Sequence, residues 1–140
     1  MKALIVEDGL TNRLFLKSFL APYGECHVAL NGREGVKAFR EALEAQTPYD
    51  LICMDVMMPE MDGHEAVRII RAFESTHNVL PAEQVKIIMT TALNDPENVI
   101  ISAHEKCDAY LVKPINGGRL LNHLESFGLL KEKPKPTPAP

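Results

Sequence analysis

The sequence predicts an α/β protein built on a doubly wound, five-stranded parallel sheet with five helices. Three observations carry that prediction. Short apolar runs alternate with amphipathic stretches along the chain in five strand–helix units. The runs are apolar on successive rather than alternate residues, as expected when helices cover both faces of a parallel sheet. Polar residues suited to chemistry follow directly on those runs, where open parallel sheets bind ligands.

Each element has its own signal. Ala3-Leu4-Ile5-Val6 is strand-sized and ends in Glu7-Asp8. A helix over Leu10 to Leu20 stops at Pro22-Tyr23-Gly24. Cys26 to Leu30 reads as the second strand. Asn31-Gly32 often marks a hairpin, but Val36, Phe39 and Leu43 follow at helical spacing, so here the pair opens a helix. Tyr49 to Asp55 is the third strand. After a loop with Pro59 and Gly63, Ala66, Ile70 and Phe73 share one helical face, and Ser75 to Gln84 reads as a polar loop. Val85 to Thr90 is the fourth strand. Asp95-Pro96 supplies an N-cap and a first-turn proline for a helix through about Lys106. Ala109 to Val112 is the fifth strand, and Leu120, Leu121, Leu124 and Phe127 line the last helix.

The 140 residues, 46% hydrophobic and 24% charged, have the balance of one globular domain. A net charge of −4, from 15 basic against 19 acidic residues, lacks the basic footprint of a direct nucleic-acid binder. No apolar run approaches the ~18–20 residues of a membrane span, and the apolar start turns acidic too soon for a signal peptide. Cys26, Cys53 and Cys107 are widely spaced, so reduced thiols in a cytoplasmic protein are expected and a zinc site is not. Met54, Met57, Met58 and Met61 read as core and loop filler. The five histidines lack paired ligand spacing and receive no role. We expect a body over 1–128 and a flexible Pro/Lys-rich tail over 129–140.

The strand ends carry Glu7-Asp8, Asp55, Thr90-Thr91 and Lys113-Pro114. If the sheet order brings strands one, three, four and five together, three carboxylates, a hydroxyl and an ammonium share one pocket. Like charges so close raise one another's pKa and call for a counter-ion. Mg²⁺ suits such a site, because it prefers carboxylate, carbonyl and water oxygens. A carboxylate beside it can attack phosphorus, a transfer that needs mainly positioning and charge neutralisation.

Glu7-Asp8, Asp55-Val56-Met57-Met58-Pro59-Glu60-Met61-Asp62-Gly63, Thr91-Ala92 and Tyr110-Leu111-Val112-Lys113-Pro114 together resemble the receiver domain of two-component response regulators, across about residues 2–128. The resemblance implies a flavodoxin-like sheet of order 2-1-3-4-5. It implies that Asp55 is the phosphoacceptor. Glu7, Asp8, Asp55 and the Met57 backbone carbonyl would hold Mg²⁺, with Asp8 the more direct ligand of the first two. Thr91, rather than Thr90, would be the switch hydroxyl, and Lys113 would pair with Asp55 or its phosphate. Pro114 would follow a cis bond, and Tyr110 would be the aromatic switch. The partners implied are a sensor histidine kinase or histidine phosphotransfer protein and an unidentified downstream protein. The output would be altered contacts of the face formed by the fourth helix, fifth strand and fifth helix. The chain would catalyse only its own phosphotransfer and dephosphorylation, and a phosphorylation-linked homodimer stays open.

Three positions depart from the family's pattern. Lys106 stands where a helix-ending Gly is usual, and the loop from Ser75 to Gln84 is slightly long. Gly35 stands inside the second helix where Ala is usual, at an expected cost of about 0.5–1 kcal/mol. Two other classes fit less well. A Mg²⁺-dependent phosphatase with an aspartyl nucleophile would want a second Asp two residues on, where Met57 stands. A flavin site would want a glycine- and hydroxyl-rich phosphate loop after the first strand, where Glu7-Asp8 would repel a phosphate. With no residues left for an output domain, a stand-alone receiver or one cut from a longer chain is expected.

Overall fold

The structure is a computed structural model that describes residues 1–92 and 107–130. Its strands are β1 (Lys2–Val6), β2 (Glu25–Ala29), β3 (Leu51–Asp55), β4 (Lys86–Thr91) and β5 (Ala109–Val112). Its helices are α1 (Leu10–Leu20), α2 (Gly32–Glu44), α3 (Gly63–Thr76) and α4 (Gly117–Ser126). The strands form one parallel sheet of order β2-β1-β3-β4-β5. The described residues thus carry four α-helices, not the five predicted. The helix expected from Asp95-Pro96 to about Lys106, with Lys106 itself, lies outside them.

Residues alternate between the two faces of the sheet, and each face buries its own core. Leu4, Val6, Ile52, Met54, Ile87 and Met89 meet Val36 and Phe39 of α2 and Ala66, Val67 and Ile70 of α3. Ala3, Ile5, Leu51, Cys53, Ile88 and Leu111 meet Leu16 and Leu20 of α1 and Leu120 and Leu124 of α4. The middle strands are therefore buried on both sides, which is why they read as continuous apolar runs. Among the described residues, no helix is long and apolar enough to cross a membrane.

Side-chain caps fix where three helices begin. Asn31 Oδ1 accepts from the Glu34 amide at 2.9 Å, Asp62 Oδ1 from the Glu65 amide at 2.9 Å, and Asn116 Oδ1 from the Arg119 amide at 3.0 Å. Asn31 Nδ2 also donates to Glu34 Oε2 at 3.0 Å, so the Asn-Gly pair opens a helix and no hairpin.

Three expectations need correction. The polar loop starts later than read, because α3 runs to Thr76, and it contains a 3₁₀ turn at Pro81–Glu83. Glu74 is buried there, accepting from the Val85 amide at 2.7 Å and from Arg71 Nη1 at 2.7 Å. The body extends past 128, since Leu129 and Leu130 pack against the second core and the Leu129 amide donates to the Leu124 carbonyl at 3.0 Å. Gly35 is also more than a weak helix residue. A Cβ there would lie 2.8 Å from Val6 Cγ2 and 3.0 Å from Val6 Cγ1.

Val6 is fully buried and β-branched, so it cannot yield cheaply. Overpacking outweighs the better helix propensity of alanine. Gly35→Ala is expected to lower the unfolding free energy by about 1–2 kcal/mol in urea titrations, and an equal or higher stability would contradict this packing.

Candidate functional site

The register of the sheet assembles the site. Asp55 at the end of β3 pairs with Thr90, and Thr91 at the end of β4 pairs with Val112. The ladder runs slightly beyond the strands. The Glu7 amide donates to the Ala29 carbonyl at 3.1 Å, the Val56 amide to Thr90 at 2.9 Å and the Lys113 amide to Thr91 at 2.7 Å. The ends of β1, β3, β4 and β5 thereby bring together the predicted residues Glu7, Asp8, Asp55, Thr91 and Lys113. The Lys113–Pro114 bond is cis.

Lys113 joins the two buried carboxylates. Its Nζ lies 3.0 Å from Glu7 Oε1 and 3.1 Å from Asp55 Oδ1. Glu7 is 1% exposed and Asp55 3%, whereas Asp8 is exposed. One carboxylate oxygen from each of Glu7, Asp8 and Asp55 lies within 4.8 Å of the other two. The Gly9 amide donates to Glu7 Oε2 at 3.1 Å, and the Met57 amide to Asp55 Oδ1 at 3.3 Å. The contact seen from Met57 to Asp55 is thus through its amide.

One ammonium faces two buried carboxylates, and the balance shows in their proton affinities. Burial, then the hydrogen bond and negative charge of Glu7, push the Asp55 carboxyl up to about 7, although Lys113 pulls the other way. Burial also pushes Glu7 up, but hydrogen bonds from Asp55, the Gly9 amide and Lys113 outweigh it and hold Glu7 below its ordinary value. Lys113 is raised, because the two carboxylates outweigh its partial burial. Below about pH 7, and without a further cation, the acid pair holds one proton between its members. Three clustered hard oxygen donors short of positive charge suit a hard divalent ion.

Thr91 is buried, and among the described residues its Oγ1 has no hydrogen-bond partner. A buried hydroxyl left this way is available to an oxygen arriving in the pocket. Tyr110 is 41% exposed, on the strand beside β4.

The sequence reading missed two contributors. Gly63 lets α3 start against the end of β3, since a Cβ there would lie 2.5 Å from the Asp55 carbonyl oxygen. The only sequence signal was Asp62-Gly63, a cap before a residue that allows close approach. Arg13 reaches back from α1, where Nη1 donates to the Glu7 and Asp8 carbonyls at 3.3 Å each. Its signal was a cation one turn into the helix that follows the acid pair.

A doubly wound sheet with an acidic pocket, a lysine and a buried threonine at its carboxyl edge defines a class of phosphoryl-accepting switch domains. The sequence model of the response regulator receiver domain matches residues 3–125, and the chain belongs to that family. It is therefore a receiver domain of two-component signalling, related to domains that take phosphoryl groups from phosphotransfer proteins. It is 39% identical over 118 residues, 82% of its length, to hybrid signal transduction histidine kinase G of Dictyostelium discoideum. It spans 3% of that kinase's length, and less than half of several other curated relatives. Among solved structures it resembles the co-crystal structure of the Saccharomyces cerevisiae phosphotransfer protein Ypd1 with the receiver domain of Ssk1, with a TM-score of 0.78, 29% identity, and 94% of this chain and 90% of that one covered. It also resembles the receiver domain of sensor histidine kinase PA1611 from Pseudomonas aeruginosa, which has a magnesium ion in its active-site cleft (TM-score 0.71, 28% identity, 90% and 95% of the two chains covered).

The raised Asp55 pKa fixes a sign for stability. The folded protein keeps a proton on Asp55 up to about pH 7, whereas the unfolded chain loses it near the ordinary value of 3.8. Stability from this group is full below about pH 4 and is lost as pH rises through about 7. In metal-free buffer the unfolding free energy should fall by about 2 kcal/mol between roughly pH 5 and 8, and Asp55→Asn should flatten the curve. A parent curve that is flat or rises over this range would contradict the buried acid pair.

Proposed function

We propose that Asp55 accepts a phosphoryl group from a sensor histidine kinase or a histidine phosphotransfer protein, and that the chain signals by changing its protein contacts. The observation that carries this is the clamp of Lys113 across Glu7 and Asp55, which marks a pocket built for more negative charge and more positive charge than it holds. The likeness to the Ssk1 receiver, seen in complex with Ypd1, supports the phosphotransfer partner.

In the transfer, an oxygen of ionised Asp55 attacks the phosphorus of a phosphohistidine. The new P–O bond forms as the P–N bond breaks, and the imidazole nitrogen keeps the bonding pair and takes a proton from solvent. Glu7, Asp8, Asp55 and the Met57 carbonyl would hold Mg²⁺, whose charge neutralises the carboxylates and the phosphoryl oxygens. Lys113 contacts Asp55 already, so it is placed to pair with an oxygen of the group once attached. The buried Thr91 hydroxyl donates to another. Drawing Thr91 toward the phosphoryl group opens space behind it, and the exposed Tyr110 ring turns inward. The downstream partner then reads a changed surface that includes β5 and α4, and it shifts the two-state population only by preferring one state. The chain itself catalyses only the gain and the hydrolysis of its acyl phosphate.

Incubation with Mg²⁺ and a small phosphodonor should add one phosphoryl group by intact mass. Asp55→Asn should abolish the addition, and Lys113→Ala or removal of Mg²⁺ should lower it at least tenfold, as loss of one charge-stabilising group does. Rapid multiple turnover of the donor, or an adduct that survives Asp55→Asn, would overturn the proposal.

A further inference from the structure

We infer that Arg13 is a positioning residue that fixes the Asp8 carboxylate for cation binding, an inference that rests on the reading of the pocket as a Mg²⁺ site. Among the described residues, no hydrogen bond or ion pair holds the Asp8 carboxylate, although it is one of the three clustered acids. With no side-chain partner, the place from which that carboxylate reaches the cluster is set by its backbone alone, in the turn between β1 and α1. Glu7 is tied to the sheet through its amide on the Ala29 carbonyl, and its side chain is held by the Gly9 amide and Lys113. The Asp8 carbonyl has one partner among the described residues, Arg13 Nη1 at 3.3 Å, and the same nitrogen donates to the Glu7 carbonyl at 3.3 Å. Arg13 is anchored in turn, because its amide donates to the Gly9 carbonyl at 3.0 Å in the first turn of α1. One guanidinium thus locks the two peptide units that carry both acidic side chains to the start of the helix. A partner that orients a metal ligand without touching the metal commonly contributes ten- to a hundredfold in affinity.

The sign of the effect separates this role from simple electrostatics. A cation close to the site repels Mg²⁺, so an arginine acting only through its charge would weaken binding and its removal would tighten it. Positioning predicts the opposite. The test is Mg²⁺ titration of the full chain by calorimetry, with melting in EDTA as a parallel measure of folding. Arg13→Met should weaken Mg²⁺ binding about tenfold. Arg13→Lys, which keeps a charged donor for the carbonyls, should recover most of the loss. Binding by the Arg13→Met protein that is tighter than the parent's or within twofold of it would overturn the inference and leave the pocket reading standing. So would equal losses in both variants that track lowered melting in EDTA, which would mark a packing defect. A parent chain that binds no Mg²⁺ would overturn the pocket reading and this inference together.

Discussion

The site depends on one unfavourable arrangement and its partial remedy: Glu7 and Asp55 are buried side by side with a single ammonium, Lys113, between them. Isolated buried carboxylates would be very costly, and a pair more so. Lys113 offsets one negative charge, and the proton affinity of Asp55 rises to about 7 to relieve the other. The buried pair, though not the whole acidic cluster, is therefore held near neutrality by Lys113 and a proton that a bound cation would displace. The group that gives up this proton is the one proposed to act as nucleophile, so charge balance and reactivity are coupled in a single side chain.

Everything that makes this arrangement tolerable lies in the sheet. The parallel register brings the ends of β1, β3, β4 and β5 to one edge, and the two apolar cores keep those strands from shifting. Two glycines bring helices close enough to frame the edge. Gly35 seats α2 against Val6, next to Glu7, and Gly63 seats α3 against the Asp55 backbone. Arg13 braces the turn that carries Glu7 and Asp8.

Much of this was legible in the sequence, for reasons that differ by element. Strands buried on both faces leave continuous apolar runs, so β1, β3 and β4 were plain, and carboxylates directly after such runs stood out because they must find partners. Asn31-Gly32 marked the start of α2 by chemistry local in sequence, whereas the caps Asp62 and Asn116 came to light only in the structure. What escaped was set by contacts across the fold. Gly35 looked like a weak helix residue until Val6 was placed beside it. Glu74 drew no attention in the sequence, yet it is buried because Arg71 and the Val85 amide meet it there. Arg13 had only its place one turn into α1 to mark it, since its partners are backbone carbonyls, which no residue type announces.

At rest Asp55 holds a proton that a bound cation would displace. This displacement is tested most directly by counting protons released on Mg²⁺ binding, using calorimetry in buffers of different ionisation enthalpy. About half a proton should be released near pH 7, declining toward zero by about pH 8.5, and none from Asp55→Asn at either pH. Mg²⁺ binding to the parent chain with no proton released at pH 7 would contradict it.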